Sequence, residues 1–445
     1  MKKTANIVWK CIACCCVAVV LNACNKSDDD FTESIFDTSI EAVDQSQATA
    51  PFDQWLYDNF VLPYNTEIQY KFNYPASNLD FQLTPSDYKK SQLLGHFIKY
   101  LFYDTYTKYA GDNFMKSYGP KIFHFIGSIA YSPTTGTETL GYASAGVKIT
   151  LINVNAMKLW APDNEYTEGD IDNLNEKIFH TMHHEFSHIL HQTKSYPVSY
   201  GQVTPSTYAP RDWQDRDSVE SHSLGYITQY GSSATYEDFV EMLSCTITDT
   251  DYRWMTAIID ACANGGVREG DKEQIYTLID SLGIEGLDNP DHVWNKFTLY
   301  KETARVTETG EISERYVPSF HQSDARIHAS GKSLTYVKEK EFTSFRDFLD
   351  NWVQIDTSDK VGGINAMLKK IDIATKWYTE TWGLHLYEIR REVRERQNAV
   401  NDYVRNNVTI YELQYIEDYE KDIQFFHHLC RMLRHLCSHS DNHLL

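Results

Sequence analysis

Residues 179–191 read FHTMHHEFSHILH and contain the pattern H-E-x-x-H at His184, Glu185 and His188. Bulky apolar residues alternate with the polar ones at a spacing typical of a buried helix face. On a helix, residues four apart share one face and lie about 6 Å apart along the axis. Two imidazoles at that spacing can reach one ion at Zn–N distances of roughly 2.0–2.1 Å. The stretch therefore predicts a zinc-binding helix, with Glu185 positioned as a general base that takes a proton from an activated water.

The flanking histidines fit the same ion less well. His180 and His188 are about 12 Å apart along a helix axis, too far to share one zinc ion. No Glu follows His180, although it stands four residues before His184. For His183 and His191 we prefer simpler interpretations, namely packing, contacts with the ligand histidines or a solvated helix end.

A catalytic zinc site also needs a third protein ligand and leaves a fourth position for water. The extended pattern H-E-x-x-H-x-x-G-x-x-H is absent, because His191 stands at its glycine position and Lys194 at its last histidine. The other common solution is a carboxylate on a second helix. The segment YGSSATYEDFVE, residues 230–241, supplies Glu237 and Glu241.

These two glutamates are four apart and therefore share a helix face beside apolar residues. Two carboxylates on such a face repel each other and are costly to bury unless a cation faces them. We predict that Glu237 is the third zinc ligand and that Glu241 accepts a hydrogen bond that orients a ligand histidine. Two alternatives stay open, namely an exchange of these two roles and a solvated acidic face without metal.

The rest of the chain predicts an α+β protein. Helices are expected from Pro51, from an N-cap at Ser86 or Asp87 to about Tyr109, over 171–192, over 235–246 and in the C-terminal part after Gly362-Gly363. Strands are expected over 70–74, 121–126 and 146–152. Residues 265–355 are charged and turn-rich and are interpreted as an insertion or small subdomain.

The N-terminus has the features of an export signal. Three lysines, Lys2, Lys3 and Lys10, flank or precede an apolar run over 11–21 that is too short to span a bilayer. The run ends in Leu21-Asn22-Ala23-Cys24, which resembles the lipobox of bacterial lipoproteins, where the cysteine is acylated. Acidic residues follow at 28–30, as in surface lipoproteins of Bacteroidetes-type bacteria. We predict a signal peptide over 1–23, lipidation of Cys24 and an acidic tether over 24–50; the alternative is an ordinary cleaved secretory signal.

Charge and cysteine content exclude several classes of protein. The net charge is −21, and it becomes −24 when residues 1–23, with three lysines and no acid, are removed. Such a surface repels phosphate backbones, so nucleic acid is a poor candidate partner. Beyond Cys24 the chain keeps Cys245, Cys262, Cys430 and Cys437, too few and too scattered for a disulfide scaffold. The histidines and cysteines over 427–443 match no compact zinc pattern.

Together these residues resemble a known family. Tyr230 and the glutamates reproduce the Y-x₆-E-x-F-x-E arrangement of the anthrax lethal factor metalloprotease domain. The lipobox and the regions 51–73, 180–191 and 237–244 resemble the substrate import-associated zinc metallohydrolase lipoproteins of Bacteroidetes-type bacteria, which accompany TonB-dependent outer-membrane importers. The resemblance is good over 51–250, weaker over 360–400, and does not extend to 265–355 or beyond about 415.

This resemblance implies a zincin-like metallopeptidase fold, in which a twisted sheet lies beside the H-E-x-x-H helix. It places one Zn²⁺ on His184, His188 and Glu237, and it makes Tyr230 the donor that stabilises an oxyanion. From the organisation of the chain we predict a catalytic domain over 51–264, followed by the insertion over 265–355 and a mainly helical region over 356–445. The alternative is that Tyr230 has no such role and is simply one of the 30 tyrosines in the chain.

Three hypotheses about function follow. The first is a surface-exposed outer-membrane peptidase that acts on peptides, proteins or glycoproteins. The second is a non-catalytic lipoprotein of the same fold that binds peptide or glycan for a TonB-dependent importer. The third is metal-dependent hydrolysis of a non-peptide amide, which would use the same site. The presence of Glu185 favours the first, because a binding protein has no need of a general base.

Overall fold

A computed structural model of the chain describes residues 42–73, 77, 81–131, 138–139, 141–144, 147–287, 289, 291–305, 312–320, 334–355 and 362–413. The predicted signal peptide, Cys24, most of the tether and the tail over 427–443 lie outside these residues. The elements described below belong to one compact unit, Ser46–Leu445. Within the described ranges, no helix combines the length and apolar character needed to cross a membrane.

Most of the described residues lie in helices. They are Ala50–Leu56 (α1), Leu62–Tyr64 (α2), Tyr88–Phe97 (α3), Asp104–Ala110 (α4), Asp112–Tyr118 (α5), Glu168–Leu174 (α6), His180–Thr193 (α7), Ser218–Ser223 (α8), Thr235–Thr248 (α9), Asp251–Gly265 (α10), Asp271–Ser281 (α11), Phe345–Asp347 (α12), Gly363–Trp382 (α13), Leu386–Asn398 (α14) and Val400–Asn407 (α15). Turns of π-helix follow α1, α3, α6 and α12, over Tyr57–Val61, Ile98–Tyr103, Asn175–Phe179 and Phe348–Trp352. Short 3₁₀ turns lie at Val154–Ala156, Trp213–Asp215, Tyr230–Ser233 and Val293–Asn295.

The strands found among the described residues form three small sheets. They are Glu67–Gln69 (β1), Ile122–Phe125 (β2), Ala130–Tyr131 (β3), Glu138–Thr139 (β4), Gly141–Ser144 (β5), Lys148–Leu151 (β6), Phe297–Arg305 (β7), Ile312–Ser319 (β8) and Leu334–Phe342 (β9). The first sheet has the order β1-β2-β6-β5, in which β1, β2 and β6 are parallel and β5 runs antiparallel to β6. The other two are the pair β3-β4 and the antiparallel sheet β8-β7-β9. The chain is therefore a mixed helix-and-sheet protein.

The helix with the H-E-x-x-H pattern begins at a capping box. The Thr167 side chain accepts a hydrogen bond from the backbone N–H of Asp170, and the Asp170 carboxylate accepts from the N–H of Thr167. Reciprocal bonds of this kind satisfy two backbone donors that a helix start otherwise leaves unpaired. From there α6, the π turn and α7 run to Thr193, and α7 packs against α9, β5 and β6. The motif therefore lies between the sheet and a second helix.

The strand predicted over 70–74 is wrong for residues 70–73, and residue 74 is not described. The strand lies earlier, at β1, where Ile68 pairs in parallel register with Phe123. Tyr70 leaves the ladder because its backbone carbonyl accepts a bond from the Ser86 hydroxyl and its own hydroxyl donates to Asp53. Side-chain bonds of this kind compete with strand pairing, and they cannot be read from the alternation of residues.

A buried ion pair attaches the C-terminal helices to the helix that carries the predicted acidic ligand. On α13, the Lys370 ammonium lies 2.8 Å from Asp238 of α9, and both side chains are fully buried. Lys370 also donates to the carbonyl of Gly225, and the Tyr208 hydroxyl donates to the Asp238 carboxylate. Burial raises the pKa of Asp238, opposed by the charge of Lys370. Because Asp238 directly follows Glu237, this pair helps to set where α9 presents its carboxylates.

Replacing Lys370 with methionine should therefore destabilise the fold. The variant leaves the Asp238 carboxylate buried without its cation, and breaking a buried pair in this way typically costs about 3–5 kcal/mol. Urea unfolding of wild type and K370M measures the difference in the free energy of unfolding. The double variant K370M/D238N removes both charges and should lose less stability than K370M alone. A loss below about 1 kcal/mol in K370M would contradict this account of the pair.

Candidate metal centre

The structure brings the three predicted ligands together at the contact between α7 and α9. The Nε2 atoms of His184 and His188 lie 3.2 Å apart. Each of them lies 3.2 Å from Oε2 of Glu237. The three atoms therefore form a nearly equilateral triangle. His184 and Glu237 are 7% and 8% exposed, so the site is mostly buried.

The size of this triangle fits one zinc ion. Tetrahedral ligands at roughly 2.0–2.1 Å from a common ion lie about 3.3 Å from one another. The donor set, two imidazole nitrogens and one carboxylate, is also one that zinc favours, and three protein ligands leave one coordination position open. The residues present therefore suit a catalytic rather than a closed structural zinc site.

The pKa values of His184 and Glu237 reflect the two carboxylates around the His184 ring. Burial alone lowers the pKa of His184, but hydrogen bonds to Glu237 and Glu241 outweigh this effect and raise the pKa to about 10. Burial also opposes ionisation of Glu237, yet bonds from His184 and His188 lower its pKa to about 2. Without metal, a proton on the imidazole balances the carboxylates. A divalent cation bound by the same atoms would replace it.

Glu241 lies on the opposite side of the His184 ring from Glu237. Its Oε1 is 2.6 Å from Nδ1 of His184 and 2.9 Å from Nε2 of His180. Its Oε2 accepts a hydrogen bond from the Thr228 hydroxyl at 2.5 Å. Burial raises the pKa of Glu241, but His180 and His184 outweigh it and hold the pKa well below its usual range. An ionised Glu241 accepts the Nδ1 proton of His184 and so leaves the Nε2 lone pair facing the triangle.

A further histidine contacts His188, the second of the two predicted histidine ligands. Nδ1 of His188 lies 2.9 Å from Nε2 of His191. Burial, together with the charge of His188, lowers the pKa of His191 to about 4. A neutral His191 can accept the Nδ1 proton of His188 through Nε2, which directs Nε2 of His188 towards Glu237. The sequence left three interpretations of His191 open, and the structure shows the one in which it contacts His188.

Glu185 and Tyr230 are the two residues predicted to be catalytic. Glu185 is 7% exposed, and its charge acts on both His184 and Tyr230. Tyr230 opens a 3₁₀ turn, is 38% exposed and has its ring centre 5.9 Å from that of His184. Burial, then the charge of Glu237 and a hydrogen bond with it, raise the pKa of Tyr230. The phenol therefore stays protonated and can act as a hydrogen-bond donor at the site.

His180 and Thr228 are functional-site residues that the sequence reasoning missed. Both contact Glu241, which has His184 as its third hydrogen-bonding partner. The available signal was the spacing of His180 four residues before His184, which places it on the face that meets α9. For Thr228 no signal existed, because its loop approaches α9 only in the folded chain.

A second cluster of possible ligands lies next to the first. Of the described residues, His180, Glu241 and Cys245 form a group whose ligand atoms come within 4.8 Å of one another. Burial raises the pKa of the Cys245 thiol far above its ordinary value, so the thiolate that binds metals is disfavoured. The carboxylate of Glu241 is also occupied by three donors. The triangle of His184, His188 and Glu237 is therefore the better metal site.

These features define a candidate zinc protein of the H-E-x-x-H type with an acidic third ligand. Residues 45–282 match the family described as "putative zinc-binding metallo-peptidase", and since they make up more than half of the chain, the chain belongs to that family. A crystal structure of a protein from Bacteroides caccae with the same description is similar in fold. It has 23% sequence identity and a TM-score of 0.50, and the similarity covers 84% of this chain and 100% of that one. No functionally curated protein matches the sequence.

Proposed function

We propose that this chain is a zinc metallopeptidase that hydrolyses peptide bonds, with one Zn²⁺ held by His184, His188 and Glu237. One observation carries the proposal: the three ligand atoms lie 3.2 Å apart, and the buried Glu185 directly follows one of the ligands in the chain. In this proposal residues 51–264 form a zincin-like catalytic domain. Residues 265–355 are an added subdomain and 356–445 a helical C-terminal region.

Each residue at the centre has a defined task. Zinc, when bound, would polarise the substrate carbonyl and make a water molecule more acidic. Glu185 accepts the proton of the attacking water and passes it to the leaving amine. Tyr230 donates a hydrogen bond to the oxygen that gains negative charge. Glu241 and His191 hold the two imidazoles in the orientation and tautomer that the ligands need.

Zinc analysis together with peptide cleavage tests the proposal. Purified protein should contain about one zinc per chain, and it should cleave members of a mixed peptide library until a chelator removes the metal. Zinc-loaded protein that binds peptides or glycopeptides without cleaving them would support the non-catalytic alternative. That alternative gives no reason for a buried carboxylate at position 185, and we do not favour it.

Tyr230→Phe should reduce turnover more than substrate binding. The variant keeps the ring that contacts His184 and Trp213 but loses the hydroxyl. Removing one oxyanion donor typically lowers kcat about 10²- to 10³-fold. Steady-state kinetics on a good peptide substrate would show this as a fall in kcat with little change in KM. Tyr236→Phe is the matched control, because Tyr236 is also exposed and its ring lies near His188 instead. Equal kinetics for Y230F and wild type would remove Tyr230 from the mechanism.

We also propose that the enzyme acts on the outside of the outer membrane, attached through acyl chains on Cys24. The support is the lipobox-like Leu21-Asn22-Ala23-Cys24 and the acidic segment that follows it. At this location it would supply peptides, including those released from glycoproteins, to a TonB-dependent importer. When expressed in a Bacteroidetes-type bacterium, the wild-type protein should incorporate a labelled fatty acid, and the Cys24→Ala variant should not. If the variant still incorporated the label, the proposed lipid attachment at Cys24 would be wrong.

A further inference from the structure

We infer that a cavity beside the metal centre is the pocket that receives a cationic side chain, Arg or Lys, of the substrate next to the cleaved bond. This inference rests on the proposed peptidase function and adds the class of substrate to it. The cavity has a volume of about 510 Å³, within the range typical of ligand pockets. This volume accommodates the longest side chains together with water.

The cavity adjoins the candidate metal centre. His180 and Tyr230 both line it. His180 shares the Glu241 carboxylate with His184, and Tyr230 contacts the His184 ring. A peptide whose carbonyl lies at the metal centre would therefore place an adjacent side chain over Tyr230 and into the cavity.

Aromatic rings form the walls near the entrance. Trp213 packs edge-on against Tyr230 with ring centres 5.0 Å apart, and both residues line the cavity. Tyr252, at the start of α10, is a third lining residue and is 37% exposed. Aromatic faces attract the cationic groups of Arg and Lys and also pack against their aliphatic stems.

The charged residues of the cavity leave an excess of negative charge. Arg253 lines it, but its guanidinium is already bound to Glu176, at 2.8 Å, and lies 3.9 Å from Asp172. Asp249, at the end of α9, contributes a further carboxylate to the lining. Among the lining residues, the carboxylates of Glu176 and Asp249 thus outnumber the guanidinium of Arg253.

Asp249 has no ion pair within 4 Å in the part of the chain that the structure describes. The groups that act on its carboxylate are His180, Arg253, the Cys245 thiol and Arg390. Arg390 pairs with Asp251 and donates to the backbone carbonyl of Asp249, so it does not neutralise the side chain. Burial raises the pKa of Asp249 in spite of these cations. A substrate cation would supply the missing partner, whereas an acidic side chain would be repelled.

Matched peptides test the charge of the preferred side chain. Two series are needed, with Arg, citrulline, Lys, norleucine or Glu on either side of one scissile bond. Citrulline and norleucine have nearly the shape of Arg and Lys without the charge. With zinc-loaded full chain, kcat/KM for the Arg peptide of one series should exceed that for citrulline by about tenfold or more, as expected for a charged contact with aromatic and carboxylate partners. Glu should be the poorest substrate.

Variants connect this preference to the cavity. Asp249→Asn should reduce the Arg-to-citrulline ratio several-fold or more. Glu176→Gln should reduce it in the same direction, and since Glu176 lies at the surface this variant should fold even if the Asp249 variant does not. Glu168→Gln is the matched control, because Glu168 is exposed on the first turn of α6, away from the cavity. Its ratio should equal that of wild type.

A binding measurement separates failure of this inference from failure of the proposed function. The Arg and citrulline peptides are titrated calorimetrically into the Glu185→Gln variant, with and without Asp249→Asn. Cleavage without preference for a cation overturns the pocket assignment and leaves the peptidase proposal intact. No cleavage, but tighter binding of the Arg peptide that D249N abolishes, overturns the peptidase proposal and supports the pocket. No cleavage and equal binding of both peptides overturn both.

Discussion

Glu185→Gln is expected to lower kcat/KM by about two to four orders of magnitude, the usual contribution of a positioned general base. The amide has nearly the shape of the carboxylate but cannot accept a proton at neutral pH. Because Glu185 contributes no atom to the ligand triangle of His184, His188 and Glu237, the variant should still bind zinc. Zinc content by mass spectrometry and peptide cleavage, measured on the same preparation, therefore separate metal binding from catalysis.

The matched control for this prediction is again Glu168→Gln. Glu168 belongs to the same continuous helical segment but is exposed and lies about four turns before the motif. A variant E185Q that keeps near-wild-type activity with zinc bound would show that another group takes the proton. Loss of both zinc and activity would show that Glu185 contributes to the metal site itself, which the geometry does not suggest.

Glu237→Gln is expected to weaken zinc binding about a thousandfold. Zinc sites in small proteins bind with about 10–16 kcal/mol, so one of three protein ligands contributes on the order of 3–5 kcal/mol. Glu237 contacts both Nε2 atoms, and a neutral amide is a much poorer ligand. Competition with a chromogenic chelator at pH 7.5 measures the dissociation constant, and circular dichroism checks that the variant is folded.

Glu241→Gln is the informative comparison, because the two glutamates are one helical turn apart on α9. Glu241 contacts Nδ1 of His184 and lies outside the ligand triangle, and removing an orienting partner of this kind typically costs 10- to 100-fold in metal affinity. The loss in E237Q should therefore exceed the loss in E241Q. The reverse order would mean that the roles are exchanged, the alternative that the sequence left open.

Local features of the fold were predictable from the sequence. Asp87 caps α3 as one of the two predicted candidates, the helix with the motif spans the predicted range with a somewhat earlier start, and β2 and β6 lie within the predicted strands. These features depend on capping and on apolar periodicity, which act over a few residues. The antiparallel sheet β8-β7-β9 was not predicted, because β9 alternates between exposed and partly buried residues and has little apolar character of its own.

The candidate site divides in the same way. The sequence by itself determined that His184 and His188 share a helix face with Glu185 beside them, since helix geometry fixes the relation of residues four apart. The sequence also limited the candidates for the third, acidic zinc ligand to Glu237 and Glu241. Only the tertiary structure decided which carboxylate faces the Nε2 atoms, because that depends on how α9 crosses α7, and its position relative to α13 is held by the Lys370–Asp238 pair. The contacts of His180 and Thr228 with Glu241, and the cavity that Asp249 and Arg253 line, have the same origin, because they join residues that are distant in sequence.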